Sequence, residues 1–90
     1  MFFSPRANVV ESDAGFSIQV LGRVGMIYRQ GDRSVRIDSE VLATKGISIA
    51  KRSIRSWQPD GQAVSEEERA TIINNIRDAL AFKNEYLDVL

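Results

Sequence analysis

Phe16, Ile18 and Val20 alternate with Ser17 and Gln19, the period-two pattern of a half-buried strand over 16–21. Gly22-Arg23-Val24 reads as a three-residue hairpin loop, and Gly25 opens a second strand over 25–30. Gly31-Asp32 is a two-residue turn with glycine first, as a type II′ turn requires, and a third strand returns over 33–40. The two loops fix the pairing. Val20 faces Met26, which faces Ile37; Ile18 faces Tyr28, which faces Val35. Both rows are apolar and share one face. The other face carries Gln19–Ile27–Arg36 and Ser17–Arg29–Ser34. A slip of one residue would turn one strand's apolar set outward.

The second strong pattern lies at 66–83. Ile72, Ile73, Ile76, Ala79 and Leu80 recur at helical spacing, with Thr71, Asn74, Asn75 and Asp78 on the other side. Ser65 and Glu68 have the spacing of a capping box, and Glu66, Glu67 and Glu68 oppose the helix dipole in the first turn. An amphipathic helix needs an apolar surface, and the two apolar rows of the meander supply one.

The remaining segments are weaker in pattern. Thr44-Lys45-Gly46 is a turn, and a fourth strand follows over 47–52. A fifth is expected over 54–57. Ile54 and Trp57 are three apart, so they point to opposite faces unless a bulge or a helical turn brings them together. Pro59-Asp60-Gly61 turns the chain toward the helix. Tyr86–Leu90 reads as a short final strand. Residues 1–15 form an entry segment punctuated by Pro5 and Asp13-Ala14-Gly15, with Asn8–Glu11 as a short edge strand; the pattern leaves open whether Phe2 and Phe3 are tucked against the body or form a flexible tail. The fold class is therefore α+β: one domain from residue 16 to 90, an antiparallel meander of four to five strands covered by one C-terminal helix.

Composition narrows the chemistry. Among the 90 residues there is no cysteine and no histidine, which removes disulfides, thiolate nucleophiles and the usual zinc and haem ligands. No metal or cofactor is expected. The formal charge is zero, but residues 1–57 carry nine basic and five acidic groups, and residues 58–90 carry three and seven. A split of this kind can orient a partner. No apolar run approaches the roughly 20 residues of a membrane span, and Met1–Arg6 lacks the h-region of a secretory signal. The expected compartment is the cytoplasm.

Carboxylates are the only candidates for acid–base work. Glu66–Glu68 are accounted for by capping, and Asp38 and Glu40 by a solvated ion-pair ladder with Arg36. Neither set makes a catalytic dyad, so the chain reads as a non-enzyme. Arg29, Arg36, Lys51, Arg52 and Arg55, with Trp57 or Tyr28 as stacking platform, would be the only nucleic-acid surface. A neutral domain argues against it. Trp57 is either a lid on the core or an interface anchor.

The run from Gly31 to Leu42, then Ser53-Ile54-Arg55-Ser56-Trp57, Pro59-Asp60-Gly61, and the capped helix from Ser65-Glu66-Glu67-Glu68-Arg69 through Leu80 resembles the immunity protein 74 family, small immunity proteins of bacterial polymorphic toxin systems. The resemblance covers roughly residues 25–83. It implies a cytoplasmic, non-catalytic protein that binds and neutralises a cognate toxin domain. The family supplies no transferable binding residue. The expected interface is a physical one: Trp57 as aromatic anchor, with Asp60, Glu66 and Glu67 as an acidic rim that suits a basic toxin cleft. The alternatives are an assembly subunit that self-associates through an edge strand, as a homodimer for example, and a small nucleic-acid-binding module.

Overall fold

A computed structural model describes residues 1–90. Seven strands form one sheet in the order β1 to β7: Phe2–Arg6, Val9–Ser12, Phe16–Val20, Val24–Gln30, Arg33–Val41, Gly46–Ile49 and Tyr86–Val89. The first six make an antiparallel meander; β7 is parallel to β6, reached through the single helix α1, Glu66–Phe82. A parallel neighbour needs such a crossover, and the helix lands on the apolar face it has to cover.

The central meander has the register that its two turns dictate. Ile18 faces Tyr28 and Val20 faces Met26 between β3 and β4; Met26 faces Ile37 and Tyr28 faces Val35 between β4 and β5. Gly31 sits at φ +63, the left-handed conformation that the first turn position demands. The inward row of Val10, Ile18, Met26, Tyr28, Val35, Ile37, Ile47 and Ile49 meets Ile72, Ile76, Ala79 and Leu80 of the helix in one core. The capping box is complete: Glu68 N–H donates to Ser65 Oγ (3.1 Å) and Ser65 N–H to Glu68 Oε1 (2.9 Å). Ser65→Ala should cost about 1 kcal/mol. A thermal melt would then fall by roughly 4–8 °C.

Several expectations are corrected. Residues 1–15 belong to the sheet instead of standing apart from the domain that starts at residue 16. β1 and β2 extend the sheet, and Phe2 packs edge-on against Phe16 (5.9 Å between centroids) and tilted against Phe82 (5.9 Å). β2 is therefore not an edge strand, and the strand count is seven rather than four or five. The fourth strand stops at Ile49. Lys51–Ser53 form a 3₁₀ turn in place of its end, and no fifth strand exists over 54–57.

The 3₁₀ turn resolves the spacing of Ile54 and Trp57. β5 is nine residues long, and β6 pairs only with Ser39–Val41 at its far end. The turn ends the ladder, with Ser53 Oγ still accepting from Asp38 N–H of β5 (2.9 Å), and Ile54 follows into the core. The chain then returns to the near end of β5, where Ser34 and Gln58 exchange backbone bonds of 2.9 and 2.7 Å. Both Ile54 and Trp57 are buried as a result. From there Arg55–Val64 fold into a tight loop closed by Val64 N–H to Arg55 O and Trp57 N–H to Gln62 O.

On the outer face Arg36, Asp38 and Glu40 are exposed but form no ion pair with one another: the chain's three pairs are Met1–Asp13, Arg33–Asp60 and Arg69–Glu66. Gly46 is buried there under the Tyr86 ring, which a Cβ at that position would strike. Tyr86 also shares a hydroxyl hydrogen bond with Thr44. No helix is long and apolar enough to cross a membrane.

Candidate partner-binding site

Trp57 is the pivot of the sheet-to-helix junction. It is 2% exposed and lies against Tyr28, with 6.4 Å between ring centroids. The guanidinium of Arg33 sits 4.3 Å above its ring, the distance at which a cation is held by an indole face. Arg33 Nη2 donates to Gln62 Oε1 (3.1 Å), and its Nε lies 3.7 Å from Asp60 Oδ2. Asp60 is in turn fixed by accepting from Gln62 N–H (3.2 Å). The loop over 55–64 thus brings a tryptophan, an arginine and an aspartate into one cluster, across from the first turn of α1.

Between loop and helix lies a cleft of about 280 Å³ lined by Gln30, Arg33, Trp57, Glu67, Glu68, Thr71 and Ile72. Two buried donors on its wall, Arg33 Nε and Trp57 Nε1, have no hydrogen-bond partner. Glu67 and Glu68 line the cleft and Asp60 pairs with Arg33 at its rim, three carboxylates to one guanidinium, so the cleft is acidic. Glu68 is already engaged. Its carboxyl is held below the ordinary range first by the Ser65 backbone N–H and then by the attraction of the Trp57 indole N–H, which falls short of a full hydrogen bond, with Arg33 adding a smaller attraction. Glu67 is different: it is exposed and makes neither a hydrogen bond nor an ion pair. A capped first turn needs acidic residues there, but only one of the three is left free at the mouth of a cleft.

Of the four expected interface residues, the structure gathers three. Trp57 and Glu67 line the cleft, and Asp60 stands at its rim through Arg33. Glu66 turns elsewhere. It pairs with Arg69 at 2.7 Å and faces a separate depression with Lys51, Arg52 and Leu90. Trp57 is also not an exposed anchor: its ring forms the floor of the site and belongs to the core. Sequence reading missed Arg33, Gln30 and Thr71. Arg33 stood in plain view after the Gly31-Asp32 turn, but its closeness to Trp57 depends on the Ser34–Gln58 bridge. The stacking platform expected for nucleic acid is not offered, since Tyr28 and Trp57 are both buried.

Tyr28 ties this corner to the helix. Its hydroxyl donates to Gln30 Oε1 (2.6 Å) and accepts from Asn75 Nδ2 (2.9 Å). Burial pushes its pKa above the ordinary 10.0, with the Asn75 bond opposing in part. The folded state thus favours the protonated hydroxyl. Its contribution is intact below pH 10 and is lost as pH rises past that value. Alkaline titration of stability should fall more steeply for wild type than for Tyr28→Phe.

Comparison with known protein families, curated proteins and solved structures finds no match for this chain.

Proposed function

We propose that this chain is a non-catalytic immunity protein that binds a cognate toxin domain, with a basic side chain of the toxin entering the cleft beside Glu67. The observation that carries this reading is the free Glu67 carboxylate at the mouth of an acidic cleft whose other carboxylates, Glu68 and Asp60, are already engaged. The capping box holds the helix turn that presents it, and the Trp57–Arg33–Asp60 cluster holds the opposite wall. Both walls are fixed before a partner arrives, which lowers the ordering cost of binding. Arg33 lying on Trp57 shows the kind of group that this corner accommodates. The resemblance over residues 25–83 supplies the class of partner. A toxin whose active cleft is basic, as a nucleic-acid-cleaving domain would be, offers the complementary charge.

The test is charge reversal with an internal control. Glu67→Lys should weaken toxin binding roughly ten- to hundredfold, since a like charge is set against the partner's cation. Glu40→Lys makes the same charge change on the outer face of β5 and should leave the affinity near wild type. Equal losses for both variants would reduce the effect to overall charge. Retention of full affinity by Glu67→Lys would remove the cleft from the interface.

A further inference from the structure

β7 is an open edge of a different kind from the edge at β1. Tyr86 N–H donates to Lys45 O (3.3 Å), Leu90 N–H to Ile49 O (2.9 Å), and Lys51 N–H to Leu90 O (3.1 Å). In a parallel ladder this phase turns the even residues of β7 toward β6 and the odd ones away. The N–H and C=O groups of Leu87 and Val89 thus face outward, and neither residue takes part in a bond outside the ladder. The opposite edge is blunted. β1 contains Pro5, which has no N–H, and its register breaks between Phe3 and Arg6. Proline and bulges are devices that stop edge pairing. β7 has neither, and Tyr86 within it and Leu90 just beyond it are 48% and 71% exposed.

We propose that β7 pairs antiparallel with β7 of a second copy, across a two-fold axis through Asp88. Outward groups of one strand must meet outward groups of the other, so Leu87 pairs with Val89 of the second copy and Val89 with its Leu87. In this register Tyr86 comes opposite Leu90 on the outer face, joining two exposed apolar side chains. Leu87 and Val89, already packed against the core, extend it across the junction. Glu85 falls one residue beyond the second copy's Leu90, where Lys51 is bonded to Leu90 O. Glu85, Lys51 and Arg52 take part in none of the chain's own ion pairs, so the ends of the junction match in charge. The alternative register centred on Leu87 gains a Leu87–Leu87 pair at the axis but sets Tyr86 opposite Asp88 and Val89 opposite Glu85, losing the Tyr86–Leu90 and Leu87–Val89 pairs. Because only one edge is open, pairing closes at two copies instead of growing into a filament. A junction of about five residues per copy lies below the usual size of a stable interface, so the dimer exchanges rapidly with monomer.

One element opposes this register: Asp88 meets Asp88 at the axis. That gives the proposal a signature that general stickiness lacks. Sedimentation equilibrium from about 10 μM to about 1 mM should show mass rising from one copy to two and no further. Asp88→Asn removes the like-charge pair and should tighten the dimer by roughly two- to fivefold. Val89→Pro deletes an outward donor without touching the bonds to β6, and should leave a monomer whose Trp57 fluorescence is that of wild type. A wild type that stays monomeric at the highest concentration overturns the proposal. So does a folded Val89→Pro chain that still dimerises, or an Asp88→Asn chain that associates no more tightly.

Discussion

Ile76→Asp yields a chain that does not fold. Ile76 is fully buried at the centre of the helix stripe, within the core shared with Ile18, Tyr28 and Ile37. The substitution removes about 1.5–3 kcal/mol of apolar burial. It also places a carboxylate where the core offers no partner, which adds several kcal/mol even after the group neutralises itself. A 90-residue domain has roughly 5–13 kcal/mol in all, and its small core leaves little in reserve. Far-ultraviolet circular dichroism at 25 °C should show loss of the helix, with hydrogen-exchange protection lost across β3 to β5. A cooperative melt near that of wild type would mean that the stripe does not face the sheet. Asp78→Ala, on the exposed side of the same helix, should shift stability by no more than about 0.5 kcal/mol.

Trp57→Ala is expected to remove about 3–5 kcal/mol, the usual loss for a buried aromatic truncated to alanine. The argument does not rest on size alone. Trp57 closes the gap that opens where β6 leaves β5, and Arg33 rests on its ring. Its loss leaves Ile54 and Val64 beside a void and frees the guanidinium that holds Asp60 in place. Trp57→Phe should cost less than its lost volume implies. It also deletes an indole N–H that has no hydrogen-bond partner, and an unpaired buried donor itself costs about 1–3 kcal/mol. Urea midpoints for the two variants give the comparison. A Trp57→Ala midpoint equal to that of wild type would show that the ring is not part of the core. The same variant disturbs the cleft, so it tests packing, whereas Glu67→Lys tests binding.

The parts of the fold that were legible in the sequence are those whose signals are local. Ser65 and Glu68 start the helix through bonds within one turn. The Gly31-Asp32 turn and the alternation of Phe16–Val20 set a register that any slip would penalise along the whole face. The parts that were missed depend on distant contacts. β2 was legible as a short strand over Asn8–Glu11 but not as an interior one: Val9 and Val10 are both buried, so the alternation that marks a half-covered strand is absent. Pro5 hid β1, although an edge strand is where proline is tolerated. The residues over 54–57 carry strand-forming side chains, but β5 offers them only the Ser34–Gln58 bridge, and a 3₁₀ turn takes the chain elsewhere. β7 was legible as a strand but not as a parallel one, because its direction is set by the helix crossover. The site divides in the same way. Trp57, Asp60 and Glu67 are near in sequence and near in space. Glu66 differs from Glu67 only by the rotation of one helical residue, which turns it toward Arg69. Arg33 joins the cluster from 24 positions before Trp57.

The central claim is that the acidic cleft between Trp57 and Glu67 receives a basic group of a toxin domain. The most direct measurement is affinity capture from lysate of the source organism, run side by side with tagged wild type and tagged Glu67→Lys and read by mass spectrometry. The account predicts one stoichiometric partner on the wild type, greatly reduced on Glu67→Lys, that arrests growth when expressed without this chain. Recovery of the chain alone, or of a partner that Glu67→Lys retains in full, would contradict it.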